Sequence, residues 1–383
     1  MRLIAAAGLV AVGVSSSGYA HAVEGGMLDT KTVHAVAIAT GGPSNPALRC
    51  SGVLVSPNVV VTARHCISSL SSEGAPCSRS FGNPIARPGD FWVSANPTVL
   101  PGTHWRNVAA WDLPETNALC GDDIAALVLA IGFETFEATP ARPVMSEAEL
   151  VEVAKARRFG MAGFGAPSPE GADVGARRSR FDIPVRCLPG IPGFSCDGAL
   201  EYVEPGELTG GAGPCKGDSG GAAIADGDRN VVFGILSRGR LGDESCAEGI
   251  FERTDVWRWL IAKSVLRAAP PGSVPPAWAS AAFPSNPRVG ELCLGEGSCG
   301  SNARCASLDG RRSYVCARRC ETGCGADEHC ESSVCAPGPP QKVESSCAVV
   351  RGHALGHASG IVAIQITTLL GLGLCRRRAR ARG

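Results

Sequence analysis

The sequence predicts an all-β protein, a sandwich or a pair of barrels, with small appendages after it. Three observations lead there. Between Val23 and about Arg267, short apolar runs alternate with Gly, Pro and Asn/Asp turns: Val33 to Ala39, Gly52 to Val55, Val59 to Thr62, Phe91 to Ser94, Ile124 to Leu129 and Asn230 to Leu236. Only one helix is expected in that stretch. It begins near Thr254, where Thr254-Asp255 can cap it and Val256, Trp257, Leu260, Ile261 and Val265 recur at helical spacing. Finally, 383 residues, 44% of them hydrophobic, supply a core for one domain of roughly 200 residues or more and leave chain over.

The ends of the chain carry their own signals. Residues 1–22 combine Arg2, an apolar run from Leu3 to Val14 and the small-residue triplet Ala20-His21-Ala22, the pattern of a secretory signal peptide cleaved after Ala22. A buried N-terminal helix is the alternative, disfavoured because the run is short and the cleavage-like triplet follows it at the right place. Export takes the chain to an oxidising compartment, so its 18 cysteines are expected in disulfides. Lys plus Arg balances Asp plus Glu, 36 against 36, so no global field points to nucleic acid as a partner.

Residues 268–290 hold six prolines among Ala, Ser and Gly and read as an extended linker. Residues 291–337 form a cysteine-rich module, eight cysteines between Cys293 and Cys335, with too few apolar residues for an unaided core. Disulfides must staple it, and eight cysteines allow 105 pairings. His329 is the only histidine there, which disfavours a zinc site, and no metal or cofactor is expected anywhere in the chain. The module is a spacer or the binding domain for an unidentified ligand. In residues 345–383, Ser345-Ser346-Cys347 precedes an apolar stretch from Ala358 to Cys375 and the cluster Arg376-Arg377-Arg378-Ala379-Arg380. A membrane helix held by basic residues fits that pattern. The segment also resembles the myxobacterial-type C-terminal sorting signal, which implies cell-envelope or cell-surface attachment, with release after processing.

Chemistry is concentrated in Cys215-Lys216-Gly217-Asp218-Ser219-Gly220-Gly221. Glycines around a serine let the backbone turn tightly, exposing the hydroxyl as a nucleophile and aiming the N–H groups of Gly217 and Ser219 at a developing oxyanion. A serine hydroxyl needs a base within hydrogen-bond reach. Of the three histidines between Val23 and Arg267, His34 falls in an alternating strand and His104 in a Pro/Gly loop. His65 directly follows a β-run in Val60-Val61-Thr62-Ala63-Arg64-His65-Cys66 and is the candidate base. Asp122 and Asp123 precede the apolar run Ile124 to Leu129, and either can hold the imidazole tautomer.

The chain order His65, Asp123, Ser219 resembles that of the chymotrypsin/trypsin family of serine proteases and differs from the subtilisin and α/β-hydrolase orders. Cys50-Ser51-Gly52-Val53-Leu54 through Cys66 is similar to the family's first cysteine loop. Asp123-Ile124 resembles its Asp-Ile pair, Gly163-Phe164-Gly165 its Gly-Trp-Gly turn and Ser237-Arg238-Gly239 its Ser-Trp-Gly strand. The resemblance covers residues 23–267 and implies two six-stranded antiparallel Greek-key β-barrels with the site between them. It also implies a serine endopeptidase acting on polypeptides through an acyl-enzyme. The rival reading is a catalytically silent protease-fold adhesion protein.

The same resemblance implies the pairs Cys50–Cys66 and Cys215–Cys246; Cys187 with Cys196, and Cys77 with Cys120, are what remain. It makes Val23, freed by signal cleavage, the partner of Asp218, because Val23-Glu24-Gly25-Gly26 is similar to the family's mature start. Gly213, six residues before Ser219, would floor the primary specificity pocket, with Gly239 and Gly249 on its walls. No carboxylate stands at Gly213 to neutralise an incoming Arg or Lys, so a large apolar side chain is favoured; the alternatives are intrusion of Glu248 or Glu252 and attraction of acidic residues by Lys216 near the entrance. Arg64, Arg238 and Ala222 depart from the family pattern and bear on the shape of the subsites.

Overall fold

Two sets of six strands carry the frame of the computed structural model, which describes residues 23–71, 75–100, 102–167, 174–198, 202–239, 246–308 and 312–337. The first set is β1 (Ala35–Thr40), β2 (Ala47–Ser56), β3 (Val59–Thr62), β4 (Phe91–Ser94), β5 (Arg106–Asp112) and β6 (Ala125–Leu129). It closes as an antiparallel barrel in the order β1-β2-β3-β6-β5-β4. The second set is β7 (Arg158–Gly163), β8 (Arg178–Cys187), β9 (Glu207–Gly210), β10 (Ala222–Ala225), β11 (Val231–Gly239) and β12 (Gly249–Arg253). It closes in the equivalent order, β7-β8-β9-β12-β11-β10, because β9 pairs with both β8 and β12 and β10 with β7. The segments expected as signal peptide (1–22) and as C-terminal apolar helix (345–383) lie outside the described residues. Among those described, no helix is long and apolar enough to cross a membrane.

Strand alternation explains why the apolar runs are nearly continuous. Successive side chains point to opposite faces. Leu54 and Val60 therefore fill the first barrel with Val36 and Ile38, whereas Val53, Val55, Val59 and Val61 point out of it. In β10, Ala223 and Ala225 face the second barrel's interior, while Ala222 and Ile224 face the first barrel. The outward faces meet in one apolar layer, and α2 closes it with Trp257, Leu260, Ile261 and Val265. Both faces of these strands are dry, which is why they read as Val/Ile/Ala blocks without polar alternation.

Two short helices precede and follow that closure: α1 (Glu147–Ala154), capped by the Ser146 hydroxyl, and α3 (Ala277–Ala282), with α2 itself spanning Arg258–Ala268. The helix expected to start at a Thr254-Asp255 cap begins later, because both residues are engaged elsewhere. Thr254 Oγ1 donates to the Val144 carbonyl, and Asp255 pairs with Arg253.

Residues 268–290 also differ from the expected extended spacer. The run Ala277 to Ala282 lies between Pro276 and Pro284 and is free of internal prolines, so it forms α3 against α2, with Ala279 fully buried. The cysteine module then docks on the same layer. Trp259 Nε1 donates to the Cys293 carbonyl at 2.8 Å, and the Trp259 ring meets that of Tyr314 at 4.7 Å between centroids. Inside the module the pairs are Cys293–Cys305 and Cys299–Cys316, then Cys320–Cys330 and Cys324–Cys335. First-to-third and second-to-fourth pairing is thus used twice, once for each small hairpin.

His34 is buried just before β1, with neither ring nitrogen hydrogen-bonded. Burial pushes its pKa down to about 4, and the Arg177 guanidinium acts in the same direction, against Asp29. Unfolded, the ring takes a proton at its ordinary value near 6.5, so the stability tied to neutral His34 is complete above pH 6.5 and drains as the pH falls to 4. Urea unfolding with the disulfides intact should lose about 3 kcal/mol from this group over that window. His34→Leu should remove that part of the pH dependence.

Candidate active site

The first barrel delivers two of the three expected site residues. His65 lies in a single 3₁₀ turn, Arg64–Cys66, at the end of β3, where the Cys50–Cys66 disulfide ties the turn to β2. Asp123 sits two residues before the start of β6 and is fully buried. Its Oδ1 accepts the His65 backbone N–H at 2.9 Å, and its Oδ2 lies 2.8 Å from His65 Nδ1. The Ser237 hydroxyl in β11 donates to the same Oδ2 at 2.6 Å. Asp122, the other sequence candidate, turns away: its Oδ2 accepts the Ala118 N–H and its Oδ1 faces Arg312.

A carboxylate beside Nδ1 fixes the proton there and leaves Nε2 as the basic nitrogen. Burial acts to lower the His65 pKa, but the Asp123 charge and hydrogen bond outweigh it, and the value is raised. Burial likewise acts to raise Asp123, yet His65, Ser237 and the backbone N–H hold it below its ordinary value. The imidazole itself keeps 26% of its side-chain surface open to solvent, so the base is reachable from outside.

The second barrel places Ser219 in the turn before β10. The Ser219 carbonyl accepts the Ser51 N–H of β2 at 2.8 Å, and the Ser51 hydroxyl donates to the Gly217 carbonyl while accepting the Phe164 N–H. Ser51 is thus a latch between barrels, a role its place in the sequence did not announce. Gly217 has φ +95°, a conformation that favours glycine, and a Cβ on it would press on Gly165. The N–H groups of Gly217 and Ser219 have no hydrogen-bond partner among the described residues.

Asp218, beneath the turn, is fully buried and accepts from Gly165 N at 2.9 Å, Cys215 N at 3.0 Å and the backbone N–H of Val23. Burial raises its pKa to about 7 against those hydrogen bonds. Gly163 and Gly165 are glycines because any Cβ there would strike the Asp218 side chain. Val23 is itself fully buried, so the segment after Ala22 is already seated on this turn.

Of the expected pocket residues, Gly239 and Gly249 face each other across β11 and β12. A Cβ at Gly249 would collide with Pro214 and Phe251, and one at Gly213 would meet Ile183 and Val23. The Cys215–Cys246 and Cys187–Cys196 bridges frame this region, and Cys77–Cys120 ties the loop before Asp123. A polar cavity of about 380 Å³ lies alongside, lined by Arg186, Tyr202, Thr209 and Glu248 among others. Arg64 points away from the site, donating to the Pro114 and Thr116 carbonyls.

The sequence reading takes Arg238 only as a departure that shapes the subsites, and its partnership with two glutamates comes from the structure. Arg238 forms a two-pronged salt bridge with Glu207, and Glu252 Oε1 accepts the Asp123 N–H at 3.1 Å. Glu207 and Glu252 are both fully buried. Their signal was present: an acidic residue within Gly249-Ile250-Phe251-Glu252-Arg253, a strand dry on both faces, is anomalous unless partnered.

The trypsin family model matches residues 28–83. The two closed six-stranded antiparallel barrels are the fold that the sequence resemblance implies. Among solved structures, human heparin binding protein is similar at 17% identity and a TM-score of 0.46, over 66% of this chain and 100% of that one. No curated protein matches the sequence.

The His65–Asp123 geometry sets a direct check. By NMR, His65 should titrate above 6.5, and Asp123→Asn should bring it below that value, because burial then acts without the opposing charge.

Proposed function

We propose that residues 23–267 form a serine endopeptidase with Ser219 as nucleophile, His65 as general base and acid, and Asp123 as the group that orients His65. The observation that supports this most is the contact of His65 Nδ1 with a buried Asp123 that is also held by Ser237. A base so fixed presents Nε2 to a hydroxyl, and Ser219 stands on the adjoining turn.

In this reading Ser219 Oγ attacks the scissile carbonyl carbon and its proton passes to His65 Nε2. The resulting oxyanion is held by the N–H groups of Gly217 and Ser219. Collapse breaks the C–N bond, and His65 returns the proton to the leaving amine. Water, deprotonated by His65, then hydrolyses the acyl-enzyme and restores the Ser219 hydroxyl. Neither metal nor cofactor enters these steps.

Maturation belongs to the same proposal. Cleavage after Ala22 turns the Val23 N–H already bonded to Asp218 into an ammonium. That charge draws Asp218 down from about 7 to a full carboxylate and fixes the Gly217–Ser219 turn. Gly213 lies against Ile183 and Val23, Gly249 against Pro214, Leu236 and Phe251, and Gly239 beside the Glu248 carbonyl; with no carboxylate at Gly213, the pocket in this reading takes a large apolar side chain before the scissile bond. Export by residues 1–22 and attachment through residues 345–383 place the enzyme at the cell envelope or surface, acting on polypeptides.

Casein or a mixed peptide library, incubated with the mature chain, tests the reading. Wild type should cleave after large apolar residues in preference to Arg or Lys and should take up a fluorophosphonate label at Ser219. Ser219→Ala should lower kcat by on the order of a millionfold, and Asp123→Asn by about ten-thousandfold. A chain that retains residues 20–22 should turn over roughly a hundredfold more slowly than one beginning at Val23. A folded wild type that neither labels nor cleaves makes the chain a silent scaffold.

A further inference from the structure

Behind Asp123 the structure holds a further carboxyl that the proposed proton relay does not use. Glu252 in β12 lies directly opposite Glu207 in β9, on the same face of the sheet. Both are fully buried, and Arg238 is committed to Glu207 at Oε1 and Oε2. Two carboxyls opposed across a dry sheet repel, and an apolar residue at 252 would remove that cost. What offsets it is the work of the two Glu252 oxygens. Oε1 accepts the Asp123 backbone N–H at 3.1 Å, and Oε2 accepts Trp257 Nε1–H at 3.2 Å.

We propose that Glu252 is a positioning residue for Asp123, anchoring the backbone of that aspartate to the start of α2 and thereby setting the basicity of His65. The inference rests on the peptidase reading of the site. Burial raises the Glu252 pKa, Glu207 and Asp123 add to the rise, and Arg238 opposes them. The rise favours the uncharged carboxyl, which fixes the Asp123 N–H without adding a second negative charge beside the orienting one. Without that anchor the Asp123 carboxylate shifts relative to the imidazole. The groups left facing His65 besides Asp123 are Arg49 and Arg238, and both, like burial, lower its pKa.

The test uses the mature full chain with three substitutions. Glu252→Leu keeps the volume and removes both acceptors together with the repulsion from Glu207. Glu252→Gln keeps one acceptor for the Asp123 N–H, and Glu252→Asp withdraws the carboxyl by one methylene. Two readouts are taken: kcat per active site, counted by fluorophosphonate labelling of Ser219, and the pKa of His65 by NMR in the Ser219→Ala background. Glu252→Leu should fold, lose about tenfold in kcat per labelled site with KM changed by less than about twofold, and show a lowered His65 pKa. Glu252→Gln should match wild type in both readouts, while Glu252→Asp should follow Leu. If Leu fails to fold, the Asp variant decides.

Variants that keep the wild-type kcat per labelled site and His65 pKa, whatever their melting temperature, overturn the proposal and leave Glu252 a purely structural group. A wild type that neither labels nor cleaves, while His65 still responds to residue 252, overturns the peptidase reading and supports the positioning role.

Discussion

Asp123 is a carboxylate with no access to water, and the site is arranged around keeping it charged. Desolvation of such a group is costly, and it persists as an anion only if hydrogen bonds replace the lost hydration. Two of its bonds come from the His65 turn in the first barrel, and one comes from the Ser237 hydroxyl in the second. The complete set of donors to the buried carboxylate therefore exists only when the barrels are docked. That dependence explains the demand for an apolar layer between them, where Val61 and Ile124 meet Ala222 and Ile235. It also explains the short polar latch at Ser51, which joins β2 to the Gly217–Ser219 turn.

The constraint extends beyond the two barrels. Glu252 connects the Asp123 N–H to Trp257 at the entrance to α2, and Trp259 in that helix receives the cysteine module through the Cys293 carbonyl. Arg312 of the module reaches Asp122, the neighbour of Asp123, and lies against Gly121, while the Tyr314 hydroxyl donates to Glu115 in the same loop. The loop carrying the aspartate is thus held from below by Cys77–Cys120, from within by Arg64 and from the C-terminal side by the module. A small disulfide-stapled unit has little core of its own. Here it shares one, because Leu292, Tyr314 and Val315 belong to the apolar layer under α2.

Much of this was legible in the sequence wherever one physical demand dominated. Continuous Val/Ile runs marked strands that are dry on both faces, and β3 and β4 appear with the expected bounds. What escaped were strands whose residues serve packing and polar work at once. β8, Arg178–Cys187, alternates charges with Phe181, Ile183 and Val185, and β9 is only Glu-Leu-Thr-Gly. The α2 cap was misplaced because Thr254 has a tertiary acceptor, the Val144 carbonyl, that no local pattern reveals. The Glu207–Arg238–Glu252 cluster escaped for the same reason: its members are far apart in sequence, and their partnership is a property of strand register.

Asp123 and Asp218 show how register and partners together assign different states to one residue type. Both are fully buried, so both start from the same desolvation penalty. Asp123 faces an imidazole that can share charge with it and is held below the ordinary carboxylate range. Asp218 faces only neutral N–H groups, from Gly165, Cys215 and Val23, and rises to about 7. Three neutral donors do not balance a buried charge, but a cation in place of one of them does. In the proposed maturation that donor is Val23, whose amide nitrogen becomes an ammonium when the chain is cut after Ala22. The charge that offsets Asp218 would then arrive under the turn that carries Ser219.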